Sequence, residues 1–323
     1  MERLNVILLP MRRLYTPWCE NIKAAIGDRH DLKELDDDRP LAPQFAGMDV
    51  VIDQGGSRGT REMMDAATDC RLWQIVGTGF DHFDLAYIKT KGIPTANTPG
   101  LFSDVALAET AMMFIIMLSR RYQEAADNFS AARMYDPIGY ELENQTLGIV
   151  GFGASGQALA RRAKPFGMKI MGIDVREIES EVLDDIQPEF MGTPDDLDRV
   201  VAECDFLSLH LHLNDETRHI IDARQLGRMK RTAAIINVAR GALVDETALY
   251  EALVSGKIGG AGLDVFAQEP PDPTLPVYQL PNVVATPHIA GVTDGTARRR
   301  AAAAAENTDR IARGVEPLYR IDL

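Results

Sequence analysis

Residues 146–174, TLGIVGFGASGQALARRAKPFGMKIMGID, constrain what this chain can fold into more than any other stretch. An apolar run at 147–150 stops at Gly151-Phe152-Gly153-Ala154-Ser155-Gly156. Ala158, Leu159, Ala163 and Phe166 then follow at helical spacing, and Gly167 ends that helix. A second apolar run, 169–173, stops at Asp174. The order is strand, glycine turn, helix, strand, acid. In such a unit Gly151 permits the tight turn, Gly153 lets backbone approach a pyrophosphate, and Gly156 lets helix pack closely on strand. Phosphates would rest on the unpaired N–H groups at the helix start, where the helix dipole favours negative charge. Asp174, 18 residues beyond Gly156, is placed to accept hydrogen bonds from the adenosine ribose hydroxyls. A lone GxGxxG says little. With both strands, the helix and the acid in register, the segment predicts a dinucleotide site.

At 323 residues the chain has room for two domains, and 46% hydrophobic with 25% charged residues describes a globular protein. A net charge of −14 argues against nucleic acid or an anionic membrane as partner, since both reward basic patches. It leaves open an anionic small substrate met by local basic groups. Cys19, Cys70 and Cys204 are odd in number and show no CxxC or metal-ligand spacing, which suits a reducing cytoplasm. The apolar run 6–9 is too short for a signal sequence, and the longest run, 111–118, is far below membrane-spanning length.

Strand-like segments at 4–9, 48–52, 72–76 and 94–96 alternate with helix-like ones at 18–26 and 60–67, which implies a parallel sheet with crossovers. Asp36-Asp37-Asp38 reads as a solvated turn. Glycine-rich loops at 54–57 and 77–81 leave the carboxyl ends of strands, the edge where open α/β sheets bind ligands. Gly55, Gly56 and Gly79 there are candidate substrate-binding positions, able to turn N–H groups toward an anion. Arg58 is read as a solvent-facing loop arginine, with a substrate phosphate as the alternative partner. A helix is expected over 103–121, N-capped by Ser103 and apolar all round at 112–118, hence buried on several sides. Residues 122–144, with little period, are expected to wrap over a neighbouring surface. Later strands at 205–211, 233–238, 260–265 and 283–286 alternate with helices at 195–202, 222–229 and 246–255. The tail helix, 293–313, is expected to return to the first domain. The fold class is therefore α/β with two doubly wound parallel-sheet domains. A Rossmann cofactor domain, 101–290, is inserted in a flavodoxin-like substrate domain made of 1–100 plus 291–323.

Four polar residues follow late strands: Arg240, Asp264, Glu269 and His288. Parallel strands put these ends on one edge, the same edge that carries the glycine turn. The residue types match hydride chemistry on a 2-oxo acid. A carbonyl accepting hydride needs a proton donor that titrates near neutrality, and histidine suits that best. A carboxylate beside it favours the cation and fixes the ring. The substrate carboxylate wants a guanidinium, whose planar fork matches it.

With these residues in view, the chain resembles the D-isomer-specific 2-hydroxyacid dehydrogenase family, which includes D-lactate, glycerate, glyoxylate/hydroxypyruvate and phosphoglycerate members. The resemblance is carried by NTPG (97–100), GIVGFGASG (148–156), NVARGALVDE (237–246), LDVFAQEP (263–270) and TPHIAG (286–291). It implies an NAD-dependent enzyme with Arg240 as substrate clamp, Glu269 as partner of the histidine and His288 as proton donor and acceptor. It places Asp264 near the nicotinamide carboxamide, and Thr78, Leu211, Val238 and Ala239 around the cofactor. The glycine turn, including Ala154 and Ser155, joins them with Asp174, Thr217, Arg240, His288 and Gly291. It also implies a homodimer built through the cofactor domain, with no nucleic acid or membrane partner. Ala154-Ser155 stands where the family often has a longer side chain and then isoleucine. His212 replaces a common proline and is a further candidate to touch cofactor or substrate, with a solvent-facing loop histidine as the other reading, and the tryptophan often found upstream is absent around 133–135. Rival readings on the same scaffold are an NAD(H)-sensing corepressor and a formate or phosphite dehydrogenase. Asp174 predicts NAD over NADP, with Arg176 two residues away as the feature that softens this. Domain closure about 98–103 and 289–293 is expected to accompany turnover.

Overall fold

Short aliphatic runs bounded by glycine, asparagine and aspartate favour strands covered on both faces, the condition of a parallel sheet between helices. A computed structural model describes residues 1–55 and 58–323. By its internal contacts the chain forms two units, Met1–Ser103 with Thr293–Leu323, and Asp104–Val292.

In the first unit, β1 (Asn5–Leu9), β2 (Asp31–Glu34), β3 (Val50–Gln54), β4 (Leu72–Val76) and β5 (Thr95–Ala96) make a parallel sheet in the order 2-1-3-4-5. That is the flavodoxin-like order. Helices α1 (Glu20–Ile26), α2 (Leu41–Phe45), α3 (Arg61–Ala66) and α4 (Leu85–Thr90) occupy the crossovers. The pleat sorts the side chains by parity. Val6, Leu8, Val50, Ile52, Leu72 and Val76 cluster with Trp18, Ile22 and Ile26, whereas Ile7, Leu9, Val51, Trp73 and Ile75 face Phe45, Met63, Met64 and Ile88. The sequence pattern hides β2, because Asp-Leu-Lys-Glu has one apolar residue and alternates exposed with half-buried positions.

The second unit opens with α5 (Asp104–Ser119) and α6 (Tyr122–Ser130). It continues through β6 (Thr146–Val150), α7 (Ala154–Ala163), β7 (Lys169–Ile173), α8 (Ser180–Ile186), β8 (Phe190–Gly192) and α9 (Leu197–Glu203). Then come β9 (Phe206–Leu209), α10 (Ala223–Arg228), β10 (Ala234–Asn237), α11 (Glu246–Val254), β11 (Gly260–Leu263) and β12 (Val283–Ala285). All seven strands are parallel, in the order 12-11-10-9-6-7-8, so strand order reverses between β6 and β9. This is the Rossmann arrangement with one added strand. The last helix, α12 (Asp294–Ala312), returns to the first unit. Its buried Ala297, Ala301, Ala304 and Ala305 face α1 and β4, the small side chains allowing close approach.

Helix α5 is buried on several sides, as expected, with Ala108, Ala111, Met112, Phe114 and Ile115 buried and Met113 and Ile116 each 38% exposed. Two expectations change. Ser103 turns its hydroxyl back to the Gly100 carbonyl, 3.4 Å away, and also accepts from Arg300. Residues 122–144 do not wrap over a surface of this chain. They form α6 and a loop in which Phe129, Met134, Tyr135 and Ile138 face outward, 72–96% exposed. The segment buries the polar Asn128, its amide donating to the Asp136 carbonyl at 2.9 Å, and Leu142, which joins the core.

Candidate active site

Every strand of the seven-stranded sheet ends on one edge, so the loops after β6, β7, β9, β10, β11 and β12 share it. Gly151 stands at φ +94°, and a Cβ there would lie 2.6 Å from the His210 carbonyl oxygen. A Cβ on Gly156 would lie 2.2 Å from the Gly151 carbonyl oxygen and 3.1 Å from Ile149 of β6. Gly153 is different: a Cβ would meet only the Arg176 guanidinium, 3.8 Å away, so the space over this residue is open. Gly153 precedes α7 without capping it by a side chain, and Ala154, Ser155 and Gly156 begin the helix with unpaired N–H groups. A dinucleotide fits here, with backbone donors and room for a pyrophosphate where the dipole favours it.

Asp174 follows β7. Its Oδ2 accepts from the Phe152 amide at 2.8 Å, and its Oδ1 accepts from the Arg176 amide at 2.9 Å and the Arg176 Nε at 3.2 Å. It therefore tightens the glycine turn. An ionised carboxylate has about four acceptor directions, and Arg176 Nη2, 3.4 Å from Oδ2, takes the fourth, so a ribose hydroxyl would exchange with part of the Arg176 fork. The hydrogen bond and charge of Asp174 hold the Arg176 guanidinium above its usual range.

After β9, Leu211 packs against the core and His212 is exposed. Thr217 Oγ1 donates to the His212 carbonyl at 2.8 Å and closes that loop. After β10, Val238 and Ala239 are buried, and Asn237 accepts from the Ala239 amide while donating to the Arg240 carbonyl at 2.8 Å. Arg240 Nη1 in turn donates to the Ala239 carbonyl at 2.7 Å. A Cβ on Gly241 would fall 1.9 Å from the Phe266 carbonyl carbon, so this turn rests directly on the backbone leading to Glu269.

His288 Nδ1 and Glu269 Oε2 are 2.7 Å apart, with the two side chains 48% and 34% exposed. Burial alone would raise the Glu269 carboxyl. The His288 hydrogen bond and charge, the Phe266 amide and the nearby Arg240 outweigh it, so Glu269 lies below its usual range. His288 itself is held at φ +54°, its amide donating to the Asp264 carbonyl at 2.9 Å. Asp264, fully buried at the end of β11, accepts from Thr286 Oγ1 (2.6 Å), the Ile289 amide (2.8 Å) and the Ala290 amide (2.8 Å). Burial still pushes its carboxyl up against these donors. The expected neighbour of a nicotinamide carboxamide thus serves as the anchor of the loop that carries His288. Gly291 lies just beyond that anchor, partly buried.

In the first unit, Gly55 and Gly79 follow β3 and β4, and Gly56 lies outside the described residues. Gly55 has φ +86°, and a Cβ there would come within 2.2 Å of the Met11 methyl. Thr78 Oγ1 accepts from Arg300 at 2.9 Å, and its carbonyl accepts from Asn97. Arg58 is neither solvent-facing nor poised for a phosphate. Its guanidinium pairs with Asp37 of the acidic run and donates to the Pro10 carbonyl. The histidine that the sequence pattern singles out after β9, His212, is exposed. The nearby His210 is the partly buried one, linked to Ser155 and Ser208. Only its place at a strand end marked it.

The fold and this edge define a dehydrogenase that uses a nicotinamide dinucleotide. Residues 112–290 match the model of the D-isomer specific 2-hydroxyacid dehydrogenase NAD-binding domain, and the chain belongs to that family of NAD-dependent enzymes. It is 39% identical over 257 residues to a hydroxypyruvate reductase of Thermotoga maritima, covering 78% of this chain and 81% of that one. It is 35% identical over 301 residues to glyoxylate/hydroxypyruvate reductase B of Pectobacterium carotovorum, covering 91% and 92%. Among solved structures, D-lactate dehydrogenase of Aquifex aeolicus, complexed with NAD and lactic acid, superimposes with a TM-score of 0.79 at 27% identity over 96% of each chain.

Proposed function

We propose that the protein reduces a small 2-oxo acid to its D-2-hydroxy acid and that His288, Glu269 and Arg240 carry the reaction. The bound nicotinamide supplies the hydride to the carbonyl carbon. His288 Nε2 gives its proton to the carbonyl oxygen as charge develops there, and the neutral ring takes it back in the reverse direction. Glu269, ionised, holds Nδ1–H and favours the charged ring. Arg240 receives the substrate carboxylate in its fork. The observation that carries this reading is the 2.7 Å His288–Glu269 pair beside Arg240 on the edge of the glycine turn. Thr78, Gly55 and Gly79 are the proposed ligand contacts of the first unit. Glyoxylate, hydroxypyruvate and pyruvate, offered in turn with NADH, test it by loss of NADH absorbance. No consumption with any small 2-oxo acid overturns it.

We further propose a homodimer through the second unit, supported by Phe129, Met134, Tyr135 and Ile138, apolar residues that this chain leaves uncovered. A reducing, cytoplasmic setting is supported by three free cysteines, whose thiols burial pushes up to about 11 or 12. No helix among the described residues is long and apolar enough to cross a membrane.

A further inference from the structure

One array beside the glycine turn takes no part in the proton and hydride steps. His210, the first residue past β9, stands between two hydroxyls: Nε2 is 2.9 Å from Ser208 Oγ and Nδ1 is 3.0 Å from Ser155 Oγ. Ser208 is fully buried within β9, and among the described residues its hydroxyl has no other partner. A buried O–H without an acceptor is costly, so Ser208 must donate, and only a bare Nε2 can receive it. Burial keeps the ring neutral, its pKa pushed down to about 3. The one ring proton therefore sits on Nδ1 and is donated to Ser155 Oγ.

This settles where the Ser155 hydroxyl hydrogen points. With its oxygen accepting from His210, that hydrogen must be directed elsewhere, and no acceptor for it exists among the described residues. Ser155 is the second residue of α7, partly exposed, in the same turn as the unpaired N–H groups over the open space at Gly153. We propose that Ser155 Oγ–H is a side-chain donor to the dinucleotide pyrophosphate, and that Ser208 and His210 are positioning residues that hold it in the donor sense. The relay runs Ser208 O–H to Nε2, Nδ1–H to Ser155 Oγ, Ser155 O–H to a phosphate oxygen. An apolar residue at 155 would lose that donor and leave Nδ1–H without its acceptor.

The proposal rests on the NAD-binding domain of this family, and calorimetry with NADH, ADP and adenosine separates the two. Wild-type protein is expected to bind NADH and ADP; binding neither overturns both readings. Ser155→Ala is expected to weaken NADH and ADP by about tenfold, the scale of one hydrogen bond to a charged group, and adenosine by less than about twofold. His210→Leu is expected to match that loss, and the double variant to be no weaker than either single one. His210→Asn, whose amide can donate from the Nδ1 position, is expected to restore ADP binding. ADP affinity within about twofold of wild type in Ser155→Ala overturns the proposal. So does equal weakening of adenosine and ADP, which marks a merely structural role, and an additive double variant removes the positioning by His210.

Discussion

The backbone of His288 lies in the left-handed region, where a residue with a side chain persists only if its surroundings hold it. Asp264 does so from beneath, and Glu269 fixes the ring from one side. His288→Asn is expected to lower kcat by roughly 10²–10⁴-fold, with NADH binding little changed. Near-normal turnover on a good substrate would remove the acid–base assignment. Glu269→Gln withdraws the negative charge from the ring, so the alkaline limb of the reductive pH profile is expected to move to lower pH. The oxidative acid limb should move the same way, since one ring governs both. The folded-state carboxyl of Glu269 lies below its unfolded value. Its contribution to stability is therefore full above the unfolded value and is lost as pH falls through the folded one. Unfolding by denaturant at a series of acidic pH values should show a shallower loss in Glu269→Gln. Asp174 pairs with Arg176, and this pairing is expected to decide cofactor choice. Wild type should favour NADH in kcat/KM, because a 2′-phosphate would meet a carboxylate. Asp174→Ala frees Arg176 to meet that phosphate and should move the ratio toward NADPH by about tenfold or more. An unmoved ratio means that neither residue reaches the ribose.

Turns, rather than helices or strands, do the positioning. Gly241 lets the Arg240 turn sit against the Phe266–Ala267 backbone, with 1.9 Å between an added Cβ and a carbonyl carbon. Gly241→Ala must push the two turns apart, an overpacking that costs about 1–3 kcal/mol. Both melting temperature and kcat/KM should fall, and an unchanged value of either shows the two turns to be uncoupled. The motif around Gly241 was plain in the sequence, but its reason was not, because the clash involves backbone 25 residues away. Strands β4 and β7 were legible to the residue because large apolar side chains dominate them, with only Gln74 in the one and Lys169 and Gly172 in the other breaking the run. Edge strands β2 and β8 were not, since three or four residues paired on one side need little apolar surface. Within the site, His288, Glu269 and Arg240 could be read from their strand ends. The second duty of Asp174 toward Phe152, and the capture of Arg58 by Asp37, depend on where side chains turn, which no spacing records.

For the molecule as a whole, the outward face at 122–140 is where assembly is expected. Replacing Tyr135 and Ile138 together by glutamate should give a monomer by sedimentation, with its circular dichroism intact, because both side chains are over 80% exposed here. A dimer that survives the double substitution places its contact elsewhere. The last helix has a consequence for how the protein comes into being. Buried alanines of α12 complete a face of the first sheet, and Arg320 bridges to Ala96 at its far strand. That sheet's strands leave the ribosome about 200 residues before the helix that covers them, so its long-range contacts are the slowest to close. The inserted unit, with all its strands contiguous in the chain, can mature first. The half-built first sheet must meanwhile keep an apolar face uncovered, and that interval is when a nascent chain is most exposed to misassociation and most in need of a chaperone.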